Sequence, residues 1–229
     1  PGAGTVKVLI FGATGMIGSG VLQECLDNPA VTSVRAIGRS PTGRSHPKLD
    51  EILHSDFFDY SAVEDCLGEV DACFFCLGVS SAGMSEADYH RMTYELTIAA
   101  AETLLRLNPD SIFCYVSGAG TDSSEQGRWM WARVKGKTEN ALLAMPFRAV
   151  YNLRPGYVQP MKGVRSKTRL YAVAYGIVGP LYPLLRLLFP GQVTDSVTVG
   201  RAMIHVATDG FERGVLESDD MNRVGRMAG

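Results

Sequence analysis

The sequence predicts an α/β fold in which helices cover both faces of a parallel sheet. Over the first 155 residues, short apolar segments alternate with helical segments, which is typical of parallel sheets. A glycine-rich turn joins the first predicted strand to the first predicted helix. Of the 229 residues, 46% are hydrophobic and 20% are charged, so the chain can bury a core.

Seven short segments are predicted strands because they are apolar, rich in β-branched or aromatic residues and bounded by glycine, proline or polar residues. They are Val6–Phe11, Val34–Ile37, Ile52–Ser55, Ala72–Leu77, Ile112–Val116, Ala149–Leu153 and Gly214–Glu217.

Four segments between these strands repeat apolar residues at helical spacing. The predicted helices run over Ile17–Leu26, Glu86–Leu107, Arg128–Met145 and Val197–Ala207. A proline follows each of the first three helices, at Pro29, Pro109 and Pro146, and proline cannot continue a helix.

Residues 1–155 are predicted to form the main domain, and residues 156–229 a small lobe packed on the same sheet, because no linker separates them. Residues 170–185 carry no charge but are interrupted by glycines and prolines, and their 16 residues are too few to span a membrane. We interpret them as a wall over a substrate site or as a homodimer face. A contact with a membrane surface through residues 162–186 is the alternative, since basic residues precede the apolar run.

Composition excludes several classes of protein. The 22 Lys and Arg residues balance 24 Asp and Glu residues, which argues against a nucleic-acid-binding domain. Five irregularly spaced cysteines do not form a disulfide framework, and the four histidines show no metal-ligand spacing, so we expect no metal. The first apolar run is a predicted strand rather than a signal peptide, so we expect a cytoplasmic location.

The turn after the first strand has the pattern of a phosphate-binding loop. Its glycines recur every third residue, and the helix that follows offers free N–H groups and a positive dipole end to an anion. The predicted pyrophosphate-binding residues are Gly12, Thr14, Gly15, Met16, Ile17 and Gly18.

The end of the second strand predicts which dinucleotide binds. No acidic residue, which would bind the ribose 2′-hydroxyl of NAD, lies between Ala30 and Pro47. Arg39 and Ser40 suit a 2′-phosphate instead, with Arg44 assisting, so NADP(H) is favoured over NAD(H). Asp56, followed by Phe57, could accept from an adenine amino group, or could cap the next segment.

These motifs resemble the short-chain dehydrogenase/reductase superfamily, in its extended or atypical, epimerase-like branch of NAD(P)-binding proteins. The resemblance spans residues 6–160 and rests on Gly12–Gly18, Arg39, Asp56-Phe57, Leu77-Gly78, Ser117, Lys135 and Arg154-Pro155-Gly156. It implies a Rossmann-like, doubly wound sheet of about seven strands with the cofactor along its carboxyl edge.

The resemblance also implies roles for individual residues. Leu77, Gly78 and Val79 belong to the cofactor site, with the latter two at the ribose, and Ser117 lies near a substrate carbonyl. The nicotinamide is flanked by Pro155, Gly156, Tyr157 and Val158. The C-terminal lobe holds a small-molecule substrate.

The chain departs from this family at the catalytic tyrosine. A tyrosine is expected four residues before Lys135, on the same helix face, but Trp131 stands there. An indole N–H donates a hydrogen bond but is not an acid–base pair like a phenol. Ser117 and Lys135 remain as catalytic candidates, and Lys135 could also hold ribose hydroxyls. Replacement acids stay open among Tyr89, Tyr94 and Tyr157, whereas Tyr115 is expected to pack in the core.

Two functions follow from the sequence. The first is an atypical NADP(H)-binding oxidoreductase that acts on a small, apolar acceptor without the usual tyrosine. The second is a catalytically silent regulatory or scaffold protein that binds the nucleotide as a structural or sensory ligand.

Overall fold

The computed structural model describes residues 4–161, 182, 187–189 and 191–227. The apolar segment 170–185 and the alternative membrane contact through 162–186 therefore lie outside the described residues, apart from Tyr182.

Seven parallel strands form the central sheet, as the sequence predicted. They are β1 (Val6–Phe11), β2 (Val31–Gly38), β3 (Leu49–Leu53), β4 (Ala72–Phe75), β5 (Ile112–Val116), β6 (Ala149–Arg154) and β9 (Val215–Glu217). Their order across the sheet is β3-β2-β1-β4-β5-β6-β9, so the chain runs outward from β1 in one direction and then in the other. The predicted doubly wound α/β fold is confirmed.

Helices cover both faces of this sheet. They are α1 (Met16–Asp27), α2 (Glu86–His90), α3 (Leu96–Leu107), α4 (Met130–Leu143), α5 (Ser196–Thr208) and α6 (Ser218–Met227). The apolar sides of α1, α5 and α6 bury one face of the sheet, and those of α3 and α4 bury the other. The helix predicted over 86–107 is continuous but contains a π-helical turn at Arg91–Glu95 between α2 and α3.

In the part of the chain that the structure describes, two strands and one α-helix were not predicted from the sequence. Strands β7 (Tyr157–Gln159) and β8 (Val193–Asp195) form a separate two-stranded parallel sheet. Each has three residues, too few to show a period of two. Helix α6 was missed because its sequence, SDDMNRVGRM, is mostly polar.

The C-terminal elements pack directly on the first half of the chain. Helix α5 lies so close to α1 that a Cβ on Gly20 would be 2.6 Å from the Ser196 Cβ. A Cβ on Gly200 would likewise be 2.9 Å from Glu24 Cγ. Strand β9 adds to the sheet edge beside β6. The fold therefore brings residues 193–227 onto the same sheet as the glycine turn.

Gly136 provides a test of how closely α4 packs on the loop after β5. A Cβ at Gly136 would lie 1.8 Å from the Asp122 carbonyl oxygen. We expect Gly136→Ala to lower the free energy of unfolding by about 1–3 kcal/mol, because the backbone must shift to admit a methyl group. Urea denaturation measures this. The control is Gly68→Ala, since nothing lies within 4 Å of a Cβ there. Equal stability of the two variants would contradict the packing.

Candidate active site

A cleft of about 360 Å³ opens at the carboxyl ends of β1, β2 and β4. Ligands of open α/β sheets bind at this edge, where the strand order reverses. The lining residues come from the glycine turn, from β2 and the segment after it, from β3 and the segment after it, and from the segment after β4. The predicted residues among them are Gly12, Thr14, Gly15, Arg39, Ser40, Phe57, Leu77 and Gly78.

The glycine turn forms a cradle that side chains would fill. Gly12 has a φ of +77°, and a Cβ there would lie 2.8 Å from the Cys76 carbonyl carbon and oxygen. A Cβ at Gly18 would lie 2.1 Å from the Gly12 oxygen. Gly15 begins α1 as its N-cap without a side-chain cap, so no side chain competes for the first N–H groups of the helix. This geometry fits a pyrophosphate.

Arg39 lies at the mouth of this cleft. Its side chain is exposed, and the structure assigns it no hydrogen bond or ion pair within the described residues. Arg44 behaves differently, because its guanidinium donates to Gln23 on α1 and does not line the cleft. Arg39, with Ser40 beside it, therefore remains the available cation for a phosphate at this position.

A second cleft of about 200 Å³ adjoins the first and shares Arg39, Phe57, Leu77 and Gly78 with it. The predicted residues Asp56 and Val79 lie here. Asp56 Oδ1 accepts the N–H of Phe58 at 3.0 Å, so the side chain also closes a local turn. The two roles considered for Asp56 are compatible.

Ser117 and Trp131 lie next to the loop that follows β5. Ser117 is buried, and its Oγ lies 3.0 Å from Thr121 Oγ1, which itself donates to the Gly118 carbonyl. The Trp131 ring covers Gly120, where a Cβ would lie 3.4 Å from Trp131 Cη2. The indole therefore occupies the region above the loop, and neither Ser117 nor Trp131 lines the two clefts.

Lys135 reaches from α4 toward the sheet. Its Nζ lies 5.5 Å from the centre of the Tyr115 ring, and no hydrogen-bond partner for Nζ is present in the described part of the chain. Burial lowers the pKa of Lys135 to about 8, and the Glu139 carboxylate partly opposes this. Glu139 is itself held by Arg154, whose Nε lies 3.0 Å from Glu139 Oε1. Lys135 is thus a desolvated amine beside a neutralised carboxylate.

The tyrosines considered as replacement acids occupy different environments. Tyr89 and Tyr115 are fully buried, and burial raises the pKa of Tyr115. Tyr94 stacks on His90 with ring centres 4.8 Å apart. The Tyr157 hydroxyl donates to Gln159 Oε1 at 2.7 Å, and partial burial raises its pKa.

The remaining predicted cofactor residues lie outside the two clefts. A Cβ on Gly156 would be 2.3 Å from the Gln192 oxygen, and the Gly156 N–H donates to Ser218 Oγ at 2.9 Å. Val158 is buried in the core. The other residues outside both linings are Met16, Ile17, Gly18, Lys135, Pro155 and Tyr157.

Sequence reasoning missed several residues that line the larger cleft, and three of them carry a polar or sulfur-containing side chain. These three are Thr42, Glu51 and Cys76. Cys76 was predicted as part of the strand Ala72–Leu77, but it is half-buried because β4 ends at Phe75. Glu51 was missed because the third strand was predicted to begin at Ile52, whereas β3 begins at Leu49 and pairs Glu51 in register with Ala36, another lining residue.

Comparison with known proteins places this geometry in a family. The family model described as the NAD dependent epimerase/dehydratase family matches residues 8–126. The chain belongs to this family. The predicted resemblance to the epimerase-like branch is confirmed, and the family description supports a nicotinamide dinucleotide as the cofactor class.

Individual proteins resemble this epimerase/dehydratase family member along most of its length. Protein fmp52, mitochondrial, of Emericella nidulans is 28% identical over 210 residues, which cover 87% of this chain and 86% of that relative. A short chain dehydrogenase family protein from Francisella tularensis has a TM-score of 0.68 at 16% identity, covering 93% of this chain and 96% of that chain. The Bordetella bronchiseptica enzyme WbmF, in complex with NAD+, has a TM-score of 0.65 at 15% identity, and the match covers 99% of this chain and 79% of that chain. At these identities the solved structures show the fold.

The expected cytoplasmic location is wrong. The matching curated relatives from Emericella, Aspergillus and Scheffersomyces are all named as mitochondrial proteins. The expectation rested on the lack of a secretory signal peptide. That lack argues against secretion, but it does not distinguish a cytoplasmic protein from a mitochondrial one.

The described residues of this family member contain neither a membrane-spanning helix nor a cluster of metal ligands. No helix among them combines the length and apolar character needed to cross a membrane. No group of three or more His, Cys, Asp or Glu side chains among them is arranged to hold a metal ion.

The pKa of Lys135 predicts how stability depends on pH. Between pH 8 and about 10 the folded protein releases the Lys135 proton while the unfolded chain, with a lysine pKa of about 10.4, keeps it. Because the unfolded state then binds more protons, the free energy of unfolding rises with pH in this window. Lys135→Met removes that contribution. The free energy of unfolding of the variant should therefore rise by about 1–2 kcal/mol less over this pH range than that of the unaltered protein.

Urea denaturation at pH 7.5 and pH 10 measures the effect. Lys137→Met is the control, because Lys137 is exposed on the same helix. If the free energy of unfolding changes with pH to the same extent in the Lys135→Met variant and in the unaltered protein, Lys135 is not desolvated.

Proposed function

We propose that the protein is an oxidoreductase that uses NADP(H) and acts on a small, apolar acceptor. One observation carries the proposal: the glycine cradle opens into the same cleft as the Arg39 guanidinium, which has no hydrogen bond or ion pair to any other residue the structure describes. The cradle suits a pyrophosphate. A guanidinium without a protein partner suits the extra phosphate that distinguishes NADP(H) from NAD(H).

In this proposal the nicotinamide cofactor supplies the hydride chemistry, and the chain binds and orients. The N–H groups at the start of α1 bind the pyrophosphate, and Arg39 with Ser40 binds the 2′-phosphate. Lys135 donates to the ribose hydroxyls, which would give its unpartnered Nζ hydrogen bonds. The Ser117 hydroxyl orients an acceptor oxygen. Positioning of this kind supplies much of a hydride-transfer rate.

The proton source differs from that of the usual family member. Trp131 cannot exchange a proton at the tyrosine position. Burial raises the pKa of Tyr115, which makes this phenol a poorer acid than a free tyrosine. We therefore favour acceptors whose reduction tolerates a proton from water or solvent, such as a quinone or a flavin.

Exposed apolar side chains support an apolar acceptor. Leu187, Leu188 and Phe189 are consecutive, and each exposes at least half of its surface. The Phe189 carbonyl accepts from the Gln192 N–H, and the Gln192 carbonyl accepts from the Tyr157 N–H. These apolar residues are thus tied to the strand that follows the Pro155-Gly156 turn.

A second candidate is a protein that binds the nucleotide without turning over a substrate. Trp131 favours it, because the indole covers the loop beside Ser117 and removes the family's acid. Under this proposal the nucleotide is a structural or sensory ligand, and the cleft would bind it without chemistry.

Arg39→Ala tests the cofactor. The variant should raise the Kd for NADPH about tenfold to a hundredfold, the cost of losing a charged hydrogen bond, and change the Kd for NADH less than threefold. Nucleotide fluorescence titration measures both values. Arg148→Ala removes the same charge from an exposed side chain that lines neither cleft, so it should leave both values unchanged. Equal affinity of the unaltered protein for both nucleotides, or a preference for NADH, would overturn the NADP(H) preference.

Trp131→Tyr tests the catalytic proposal. A tyrosine restores the family's acid beside Lys135, so carbonyl reduction by NADPH should rise at least tenfold above the unaltered protein, in the range that general acids contribute. The assay follows NADPH oxidation with quinones, flavins and carbonyl compounds. Trp129→Tyr, an exposed position two residues earlier, is the control. If the unaltered protein and the Trp131→Tyr variant both bind NADPH tightly but neither turns over any acceptor, the catalytic proposal is contradicted. The second candidate function, nucleotide binding without chemistry, then remains.

A further inference from the structure

Glu51 brings a negative charge into the cleft that holds Arg39. Of the described residues that line this cleft, Glu51 alone is acidic. It lies on β3 and pairs in register with Ala36 of β2. Since successive strand residues point to opposite faces, the neighbouring Asp50 points away from the cleft. Glu51 was not part of the binding site predicted from the glycine turn and Arg39.

The Glu51 carboxylate is fixed in place by the loop after β2. Its Oε1 accepts the Thr42 N–H at 2.6 Å. Thr42 Oγ1 in turn accepts the Arg44 N–H at 3.3 Å, and the Arg44 side chain donates to Gln23 on α1. These hydrogen bonds fix the loop that begins with Arg39 and Ser40 at Thr42 and Arg44. Through Thr42 the loop also fixes the Glu51 carboxylate at the end of the cleft where Arg39 lies.

Arg39 and Glu51 do not form an ion pair with each other in the structure, although both line the cleft. The structure assigns the second carboxylate oxygen, Oε2, no hydrogen bond within the part of the chain it describes. A carboxylate accepts hydrogen bonds and donates none. This end of the cleft thus offers one positive group that suits a phosphate and one negative group that suits a hydroxyl.

We propose that Glu51 is a specificity-determining residue that limits the preference for NADP(H). It repels a 2′-phosphate, which carries close to two negative charges near neutral pH, and it accepts a hydrogen bond from a 2′-hydroxyl. The inference rests on the proposed function, in which Arg39 binds the 2′-phosphate. With both groups present, the protein binds NADP(H) and NAD(H), and the preference for NADP(H) is smaller than Arg39 alone would give.

Glu51→Gln tests this directly. The amide retains an oxygen acceptor for the Thr42 N–H and removes the charge. The Kd for NADPH should fall about fivefold, the size of one contact between unit charges about 4 Å apart in water. The Kd for NADH should stay the same or rise, because a charged acceptor for the 2′-hydroxyl becomes neutral. The ratio of the two Kd values therefore shifts about fivefold or more toward NADPH.

Asp50→Asn is the matched control. It changes the net charge by the same amount, one residue away, on the opposite face of β3. The ratio of the Kd values should stay within about twofold of the unaltered protein, because an exposed charge outside the cleft is screened by salt. Thermal unfolding of both variants shows that the fold is retained.

The outcomes separate this inference from the proposed function. An unchanged ratio in Glu51→Gln, together with a lost NADPH preference in Arg39→Ala, overturns the role of Glu51 and keeps the proposed function. An equal shift in Asp50→Asn and Glu51→Gln also overturns it, since the effect would come from overall charge. If the unaltered protein binds neither nucleotide, both proposals fail.

Discussion

The close approach of α1 to the ends of β1 and β4 is the constraint on which the rest of the site depends. It exists because Gly12 and Gly18 have no Cβ: a methyl group at either would overlap the Cys76 carbonyl or the Gly12 oxygen. This contact directs the start of α1 along the carboxyl edge of the sheet. Residues of β2, of β3 and of the segment after β4 then supply the remaining walls of the cleft, and the first N–H groups of α1 suit an anion.

The sequence was sufficient for most of the sheet because six of its seven strands are locally recognisable. The third strand was predicted over Ile52–Ser55 but lies at Leu49–Leu53, where three of the five residues are exposed. β5 is a continuous apolar run, and β1 is apolar and buried except for Lys7, as strands buried on both faces require. Strands β7 and β8 are stabilised by pairing with each other and by tertiary contacts, such as the Asn222 side chain donating to the Val193 carbonyl. Three residues carry no local signal of that pairing, so it could not be read from the chain.

The candidate site was predictable only where a motif lies on consecutive residues. The glycine turn and Arg39 are of this kind, and both line the cleft. Glu51 and Cys76 reach the same cleft from other strands, so their positions depend on register and on where β4 ends. The surroundings of Lys135 depend on burial and on the Glu139–Arg154 pair, which joins α4 to β6. Neither spacing nor residue type reveals the desolvation that changes its pKa.

Cys76 shows what this arrangement means for the chemical durability of the site. The thiol lies in the wall of the cleft, and burial raises its pKa to about 12. The thiolate, not the thiol, reacts with peroxides and electrophiles. At neutral pH the Cys76 sulfur is therefore in the thiol form, which is the less reactive one. A cysteine placed against the glycine turn thus adds a small, weakly polar surface to the wall of the cleft rather than a nucleophile.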